Sequence, residues 1–291
     1  MANLKEVRNR IVSVTSTQQI TNAMKMVSAA KLKRATDAIV QLRPYSNKLT
    51  EILGNVTASV EENNSPLTED REPNKVLVVL VTSNRGLAGA FNANAIKAAH
   101  NLILEKYNSQ LAKGQVSLLA IGKKGNDFFA KRDFKILDNQ SELFSDLTFE
   151  NTAKIAENIM NQFIKGKFDR VDVVYNEFKN AVLQIPVVEQ LLPLVPKEEE
   201  TKEELDYIIE PSKEEIIEVL IPKAIRIQLF KAVLDSFASE HGARMTAMDK
   251  ATENAGDLIK ELKLSYNQAR QAAITTELTE IVSGAAALSG G

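Results

Sequence analysis

The stretch "VLVVLVTSNRGLAGAFN", Val76 to Asn92, has the residue types of a phosphate-binding turn. An apolar run ends in a turn carrying Gly86 and Gly89, then passes into an alanine-rich segment. A strand, a glycine turn and a helix N-terminus together aim backbone amides at an anion. The spacing does not fit the known templates. A dinucleotide turn reads G-x-G-x-x-G with an acidic residue about 20 positions on. Here two residues separate the glycines, and Gly122 after the next apolar run is not followed by a carboxylate. A P-loop needs a hydroxyl after its lysine, and Lys124 follows Gly122-Lys123. The glycines therefore read as tight strand-to-helix turns. Other reactive residues are sparse. His100 and His241 are the only histidines and fall on separate elements, and there is no cysteine. Disulfides, thiolate metal sites and cysteine nucleophiles are excluded. The sequence assigns no catalytic residue, no metal ligand and no cofactor site.

The elements around this turn alternate. Apolar runs at 76–82, 116–121, 171–175 and 182–188 are separated by helical stretches near 88–108, 123–132 and 150–165. Alternating strand and helix predicts a largely parallel sheet covered by helices. "NEFKNA" between the last two runs predicts a hairpin. Thr148 is placed to cap the third helix and Gly166 to end it. "EENNSPLTEDREPNK", 61–75, and "VPKEEETKEELD", 195–206, read as a polar loop and an acidic linker.

Both ends read as long helices. Asn3 with Glu6, and Ser212 with Glu215, form plausible capping boxes. Near the N-terminus, Val7, Val14, Ala35, Leu42, Leu49 and Val56 recur at multiples of seven, and Met24, Ala38, Tyr45 and Ile52 suggest a second row. Thr21 and Ser28 interrupt the first row. Paired rows at this period mark a coiled-coil seam. The C-terminal seam runs Leu234, Ala238, His241, Met245, Met248, Thr252, Ala255, Ile259, Leu262, Tyr266, Ala269, Ala273. Pro44 predicts a bend or loosening and Pro222 a break. At ~1.5 Å per residue the first helix spans roughly 85 Å and the second roughly 100 Å. An antiparallel pair would leave the C-terminal end "ITTELTEIVSGAAALSGG" bare.

The fold class expected is α/β plus a long antiparallel coiled coil. The N- and C-terminal helices form a shaft, and a Rossmann-like α/β domain is inserted between them. The domain limits read as 1–60, 70–195, an acidic linker at 196–211, and 212–291. Bulk composition agrees with a folded protein: 291 residues, 44% apolar, 25% charged, and only 5% aromatic without tryptophan. A net charge of -2 gives no general drive toward nucleic acid or anionic membrane. No apolar run approaches the ~20 residues that span a bilayer, and "MANLKEVRNR" has no apolar signal core. An intracellular protein, soluble or peripheral, is expected.

"TSTQQITNAMKMVSAAKLKRA" and "RQAAITTELTEIVSGAAAL" resemble the two signature stretches of the gamma subunit of F-type ATP synthases. "TSNRGLAGAFN", "AIGKKGNDFF" and "SEHGARMTAMDKATENA" are similar to that family too, so the resemblance covers essentially the whole chain. It implies a non-catalytic central-stalk rotor subunit, turning inside three alpha and three beta subunits. Its α/β foot would rest, with the epsilon subunit, on the membrane c-ring, and the glycine turn would bind no nucleotide. It implies a peripheral place on the cytoplasmic face of the bacterial inner membrane, without direct membrane insertion. By motif position it assigns Met24, Lys25 and Met26 to the passage of a beta-subunit lever. Arg270, Gln271, Thr275, Glu277, Thr279 and Glu280 would contact the bearing and beta-subunit loops.

The sequence departs from the family at Gln19 and Asn22, where lysine is common, which weakens the positive collar. The cysteine pair of the plastid version is missing, and the absence of a transit peptide favours a bacterial source. Two rivals stand beside this reading. A nucleotide-dependent α/β enzyme needs a convergent polar site. A coiled-coil scaffold with an α/β domain predicts charged flanking pairs and helices of equal length.

Overall fold

The computed structural model describes residues 4–58, 65–194 and 213–289. Asn3 and Ser212 of the expected capping boxes, and the linker at 196–211, lie outside the described residues. The described chain forms two compact units, one of residues 28–244 and one of residues 1–27 with 245–291.

In the larger unit, five strands are ordered β3-β2-β1-β4-β5. They are β1 (Val76–Val81), β2 (Val116–Ile121), β3 (Lys135–Asn139), β4 (Arg170–Phe178) and β5 (Gln184–Leu192). All neighbours are parallel except β4 and β5, which pair antiparallel as a hairpin. Every residue of β1 is buried. The reason is that its two faces are both covered. Leu77, Val79 and Val81 face one core, with Ile159 and Phe163 of α5 (Phe149–Ile164). Val76, Val78 and Leu80 face the other, with Ala95, Ala99 and Ile103 of α2 (Phe91–Lys106) and Phe129 of α4 (Lys123–Ala130). The helix expected near 88–108 is α2, and a short α3 (Asn108–Ala112) that was not expected follows it. Thr148 does cap α5, its hydroxyl accepting from the Asn151 amide at 3.3 Å. Gly166 follows the helix with φ 68, a left-handed conformation that only glycine adopts without strain.

Two long helices complete the fold: α1, Leu4–Ala58, of 55 residues, and α6, Lys213–Ser289, of 77 residues. Pro44 and Pro222 lie inside them, and neither ends its helix. The expected break at Pro222 is corrected by its surroundings. Ile221 and Ile225 beside it are 1% and 0% exposed in the main core. Two such side chains contribute about 1.5–3 kcal/mol each, enough to offset the roughly 3 kcal/mol of an interior proline.

The burial rows of α1 correct the expected seam. Val7, Val14, Thr21, Ser28, Ala35, Leu42 and Leu49 form one row, as predicted. The second row is Ile11, Gln18, Lys25, Leu32, Ile39, Ser46 and Leu53. Of the row expected through Met24, Ala38, Tyr45 and Ile52, three members are half-buried beside it and only Tyr45, 45% exposed, stands out. On α6 the seam is buried or half-buried from Leu234 to Ala269, whereas Ala273 is exposed. Within the larger unit, Ala35 and Ile39 of α1 pack on Leu234 and Ala238 of α6.

Candidate functional site

The glycine turn lies at the carboxyl ends of β1 and β2, where an open α/β sheet usually receives a ligand. At the neighbouring Gly122 turn the donors are already engaged. At the start of α4, the Lys123 amide donates to Asn84 Oδ1 at 3.0 Å and the Lys124 amide to the Ser83 carbonyl at 3.1 Å. The Gly125 amide donates to Thr82 Oγ1 at 2.9 Å. These are the amides that would cradle a phosphate. Gly122 and Gly125 serve close packing instead, whereas a Cβ on Gly89 would meet nothing within 4 Å. Gly122 has φ 115, and a Cβ there would lie 2.0 Å from the Thr82 carbonyl oxygen. A Cβ on Gly125 would lie 2.9 Å from the Leu80 side chain. Asn84 also donates to the Ser141 carbonyl at 2.8 Å, and the Ser83 amide to Asn92 Oδ1 at 2.9 Å. The turn is thereby tied to three neighbouring segments.

Two of the turn's carbonyls face α6. Arg244 Nη2 donates to the Arg85 carbonyl at 3.1 Å and the Gly86 carbonyl at 3.3 Å, while Nη1 pairs with Glu240 one turn earlier. Ala243 packs on Ala88 and Phe91. On the opposite side, Ser239 Oγ donates to the Asn176 carbonyl at 2.9 Å. Gly242 lets the helix approach the β4–β5 hairpin, since a Cβ there would lie 3.2 Å from Ala181 Cα. The stretch 235–244 is thus gripped between a loop and a hairpin.

The electrostatics of this segment follow from burial. Burial pushes the Glu240 carboxyl upward, and Arg244 pulls it back. Burial also pushes Asp235 up to about 6, opposed by Lys231 and Arg43 and reinforced by Glu177 and Glu189. His241 is pushed down to about 3 by burial, with Arg244 and Lys31 adding to the effect. Its ring meets Phe237 edge-on at 4.5 Å, and neither ring nitrogen has a hydrogen-bond partner. It is a neutral core side chain, as its place in the seam suggested.

The smaller unit pairs the two helix ends antiparallel. Lys25 Nζ meets Asp249 Oδ1 at 2.5 Å, and Thr21 and Thr252 hydroxyls bond at 2.8 Å. Gln18 lies beside Gly256. Followed at this register, α6 runs on past Leu4 from about residue 271. Every residue from 271 to 286, and Leu288, is exposed. The bare end is ~28 Å long at about 1.5 Å per residue.

The residues singled out by resemblance fall at two levels of this unit. Met24 is half-buried, Lys25 is tied to Asp249, and Met26 is 65% exposed. Arg270, Gln271, Thr275, Glu277, Thr279 and Glu280 all lie exposed on the bare end, separated from the first group by roughly 30 Å of helix. Thr275 and Thr279 donate their hydroxyl protons to the Gln271 and Thr275 carbonyls at 2.9 and 2.8 Å. They can therefore offer a partner only lone pairs. Sequence reasoning missed an apolar stripe on the same end: Ile274, Leu278, Ile281 and Leu288 are 49%, 57%, 66% and 88% exposed. Their helical spacing was readable, because i, i+4, i+7 residues share a face.

Known proteins settle the kinship. A family model described as ATP synthase matches residues 3–288. The ATP synthase gamma chain of Flavobacterium psychrophilum is 57% identical over 292 residues, covering 100% of both chains. The chain belongs to the ATP synthase gamma-chain family. The gamma chain of Chlorobium phaeobacteroides strain BS1 is 51% identical over 294 residues, again covering 100% of both. Among solved structures, a chain of the Euglena gracilis mitochondrial ATP synthase shares the fold with a TM-score of 0.67. It is 20% identical, over 98% of this chain and 94% of that one. A chain of the Tetrahymena thermophila central stalk and c-ring superposes with a TM-score of 0.58 at 25% identity, over 80% of this chain and 99% of that one. Among the described residues, no helix of this gamma-chain family member is long and apolar enough to cross a membrane.

Proposed function

We propose that the chain is the central-stalk rotor subunit of an F-type ATP synthase. It couples ion-driven rotation of a membrane c-ring to ATP synthesis or hydrolysis at three alpha and three beta subunits. The observation that carries this reading is the bare end of α6. A single helix with an apolar stripe is marginal in water, and an exposed stripe of this kind marks a protein partner. Residues 271–289 are slim enough to enter the bore of a ring, because Ala285 and Ala286 carry minimal side chains.

In this reading the chain performs no chemistry. Ring subunits supply it, and the stalk presents a different face to each beta site, so rotation biases their affinities in turn. Met24, Lys25 and Met26 meet a beta-subunit lever at one level. Arg270, Gln271, Thr275, Glu277, Thr279 and Glu280 contact the bearing at the other. Residues 1–60 and 212–291 act as the shaft, 70–195 as a foot that rests with the epsilon subunit on the c-ring, and 196–211 as a linker. The subunit is peripheral on the cytoplasmic face of the bacterial inner membrane. The scaffold alternative has no observation of its own in its favour.

Replacing Leu278 and Ile281 together by Asp tests the reading. Both are exposed, so the isolated chain is expected to keep its helicity by circular dichroism. ATP synthesis by the reconstituted complex is expected to fall by about ten-fold or more, since two carboxylates enter a desolvated bore. Unchanged synthesis by an assembled double variant contradicts the proposed bearing.

A further inference from the structure

One face of α6 lies along the β4–β5 hairpin and is fastened to it at three points. Gln228 Nε2 donates to the Gln190 carbonyl at 3.1 Å, and Ser239 Oγ to the Asn176 carbonyl at 2.9 Å. Gly242 admits Ala181, whose Cα lies 3.2 Å from where a Cβ would stand. Residues 228, 235, 239 and 242 follow helical spacing, so Asp235 falls on this face between the fastenings. It is 3% exposed, yet among the described residues its Oδ1 has no hydrogen-bond partner. Glu177 of β4 and Glu189 of β5 bear on it with negative charge, Lys231 of α6 and Arg43 of α1 with positive. The same three carboxylates act on the buried hydroxyl of Tyr175. Its proton is donated to Glu189 Oε1 at 3.0 Å, and the Lys179 ammonium meets Glu177 at 2.7 Å. Asp235 is therefore the carboxylate of the three that no donor reaches at Oδ1. Ionised, it is a third negative charge in a buried contact. Protonated, it loses that charge and gains a hydroxyl that can donate to a neighbouring carboxylate.

We propose that the contact between α6 and the β4–β5 hairpin is a proton-operated latch: a proton on Asp235 closes it, and loss of that proton loosens the hairpin while Gln228 and Ser239 keep it in register. The latch is a property of the folded chain and stands apart from the rotor reading. Burial, reinforced by Glu177 and Glu189 against Lys231 and Arg43, raises Asp235 from the ordinary 3.8 to about 6. The folded state thus holds this proton more tightly than the unfolded chain does. The latch is firmest below about 4 and is released as pH rises through about 6.

Native-state amide hydrogen exchange on the full chain, corrected for the intrinsic pH dependence of exchange, tests the latch. β5 is an edge strand, so it peels away first when the contact loosens. Its amides are expected to lose about ten-fold in protection between pH 5 and 7. Those of α4, which packs on the other face of the sheet, are expected to stay unchanged. Asp235→Asn removes the titrating group, and β5 protection is then expected to be the same at both pH values. Glu189→Gln keeps Asp235 and removes one of the charges that hold its proton, so the loss of protection is expected to move to lower pH. This second variant decides the matter if the first does not fold. Equal protection of β5 at pH 5 and 7 in the unmodified chain, or an equal fall in α4, overturns the proposal. So does a pH dependence that persists in folded Asp235→Asn, or an unmoved midpoint in Glu189→Gln.

Discussion

Two stretches of α6 sit in opposite surroundings. Residues 235–244 are closed in, with Asp235, Ser236, Ser239, Glu240, His241 and Arg244 all at most 8% exposed. Residues 271–286 of the same helix touch solvent on every side. The first stretch is polar in sequence and buried; the second carries isoleucine and leucine and is bare. Hydropathy alone would have exchanged them. What decides is the neighbour. Arg244 has the turn carbonyls and Glu240 to satisfy its guanidinium, so the polar stretch can be enclosed. Ile274 and Leu278 lie beyond Leu4, the first described residue of α1, and no described residue covers them.

The largest expected effect removes the ion pair in the closed stretch. Arg244→Ala leaves Glu240 buried without its cation and removes the guanidinium donor to the Gly86 carbonyl and one of two donors to the Arg85 carbonyl, the other being the Ser83 hydroxyl. A loss of about 3–5 kcal/mol is expected in denaturant unfolding. A loss below about 1 kcal/mol would mean that the stretch is wet, and the comparison with the bare end would weaken.

Glycines sharpen the same contrast. Gly122→Ala meets both a positive φ and the Thr82 carbonyl, and a loss of about 3 kcal/mol is expected. Gly284→Ala on the bare end meets nothing within 4 Å. It is expected to gain up to about 1 kcal/mol of helix stability, read as raised helicity of the isolated chain.

Asp235 gives the pH dependence. Burial raises its folded pKa from the ordinary 3.8 to about 6. The folded state therefore holds this proton more tightly. The stabilisation is full below about 4 and is lost as pH rises through about 6. Asp235→Asn removes the titration. The variant is expected to exceed the parent above pH ~6 by up to about 2 kcal/mol, the difference shrinking as pH falls toward ~4. A pH-independent difference in melting temperature would show that Asp235 is solvated.

Much of the fold was legible, for identifiable reasons. Val76–Val81 reads as a continuous apolar run because helices cover both faces of β1. β3 was missed because it is an edge strand with only Ile136 and Leu137 apolar, and its ends are exposed. The row of α1 through Ile11, Ile39 and Leu53 was missed because Gln18, Lys25 and Ser46 occupy it. Polar seam residues hide a heptad from a search for apolar ones. The spacing of Glu240 and Arg244 was visible, but their burial depends on the turn at 85–86 and the hairpin at 178–181, far away in sequence. At the tip, the resemblance drew attention to charged and hydroxyl residues, and the apolar stripe between them passed unnoticed.

The central claim is that this stripe is covered by a ring of other subunits. The chain has no cysteine, so a single introduced thiol reports one position. Leu278→Cys can be labelled with a maleimide in the free chain and in the assembled complex with alpha and beta subunits, with Lys131→Cys on the α/β domain labelled in parallel. The account predicts fast labelling of both in the free chain, and labelling at 278 slowed by about two orders of magnitude in the complex while 131 keeps reacting. Equal reactivity at 278 in the free chain and the complex would contradict it.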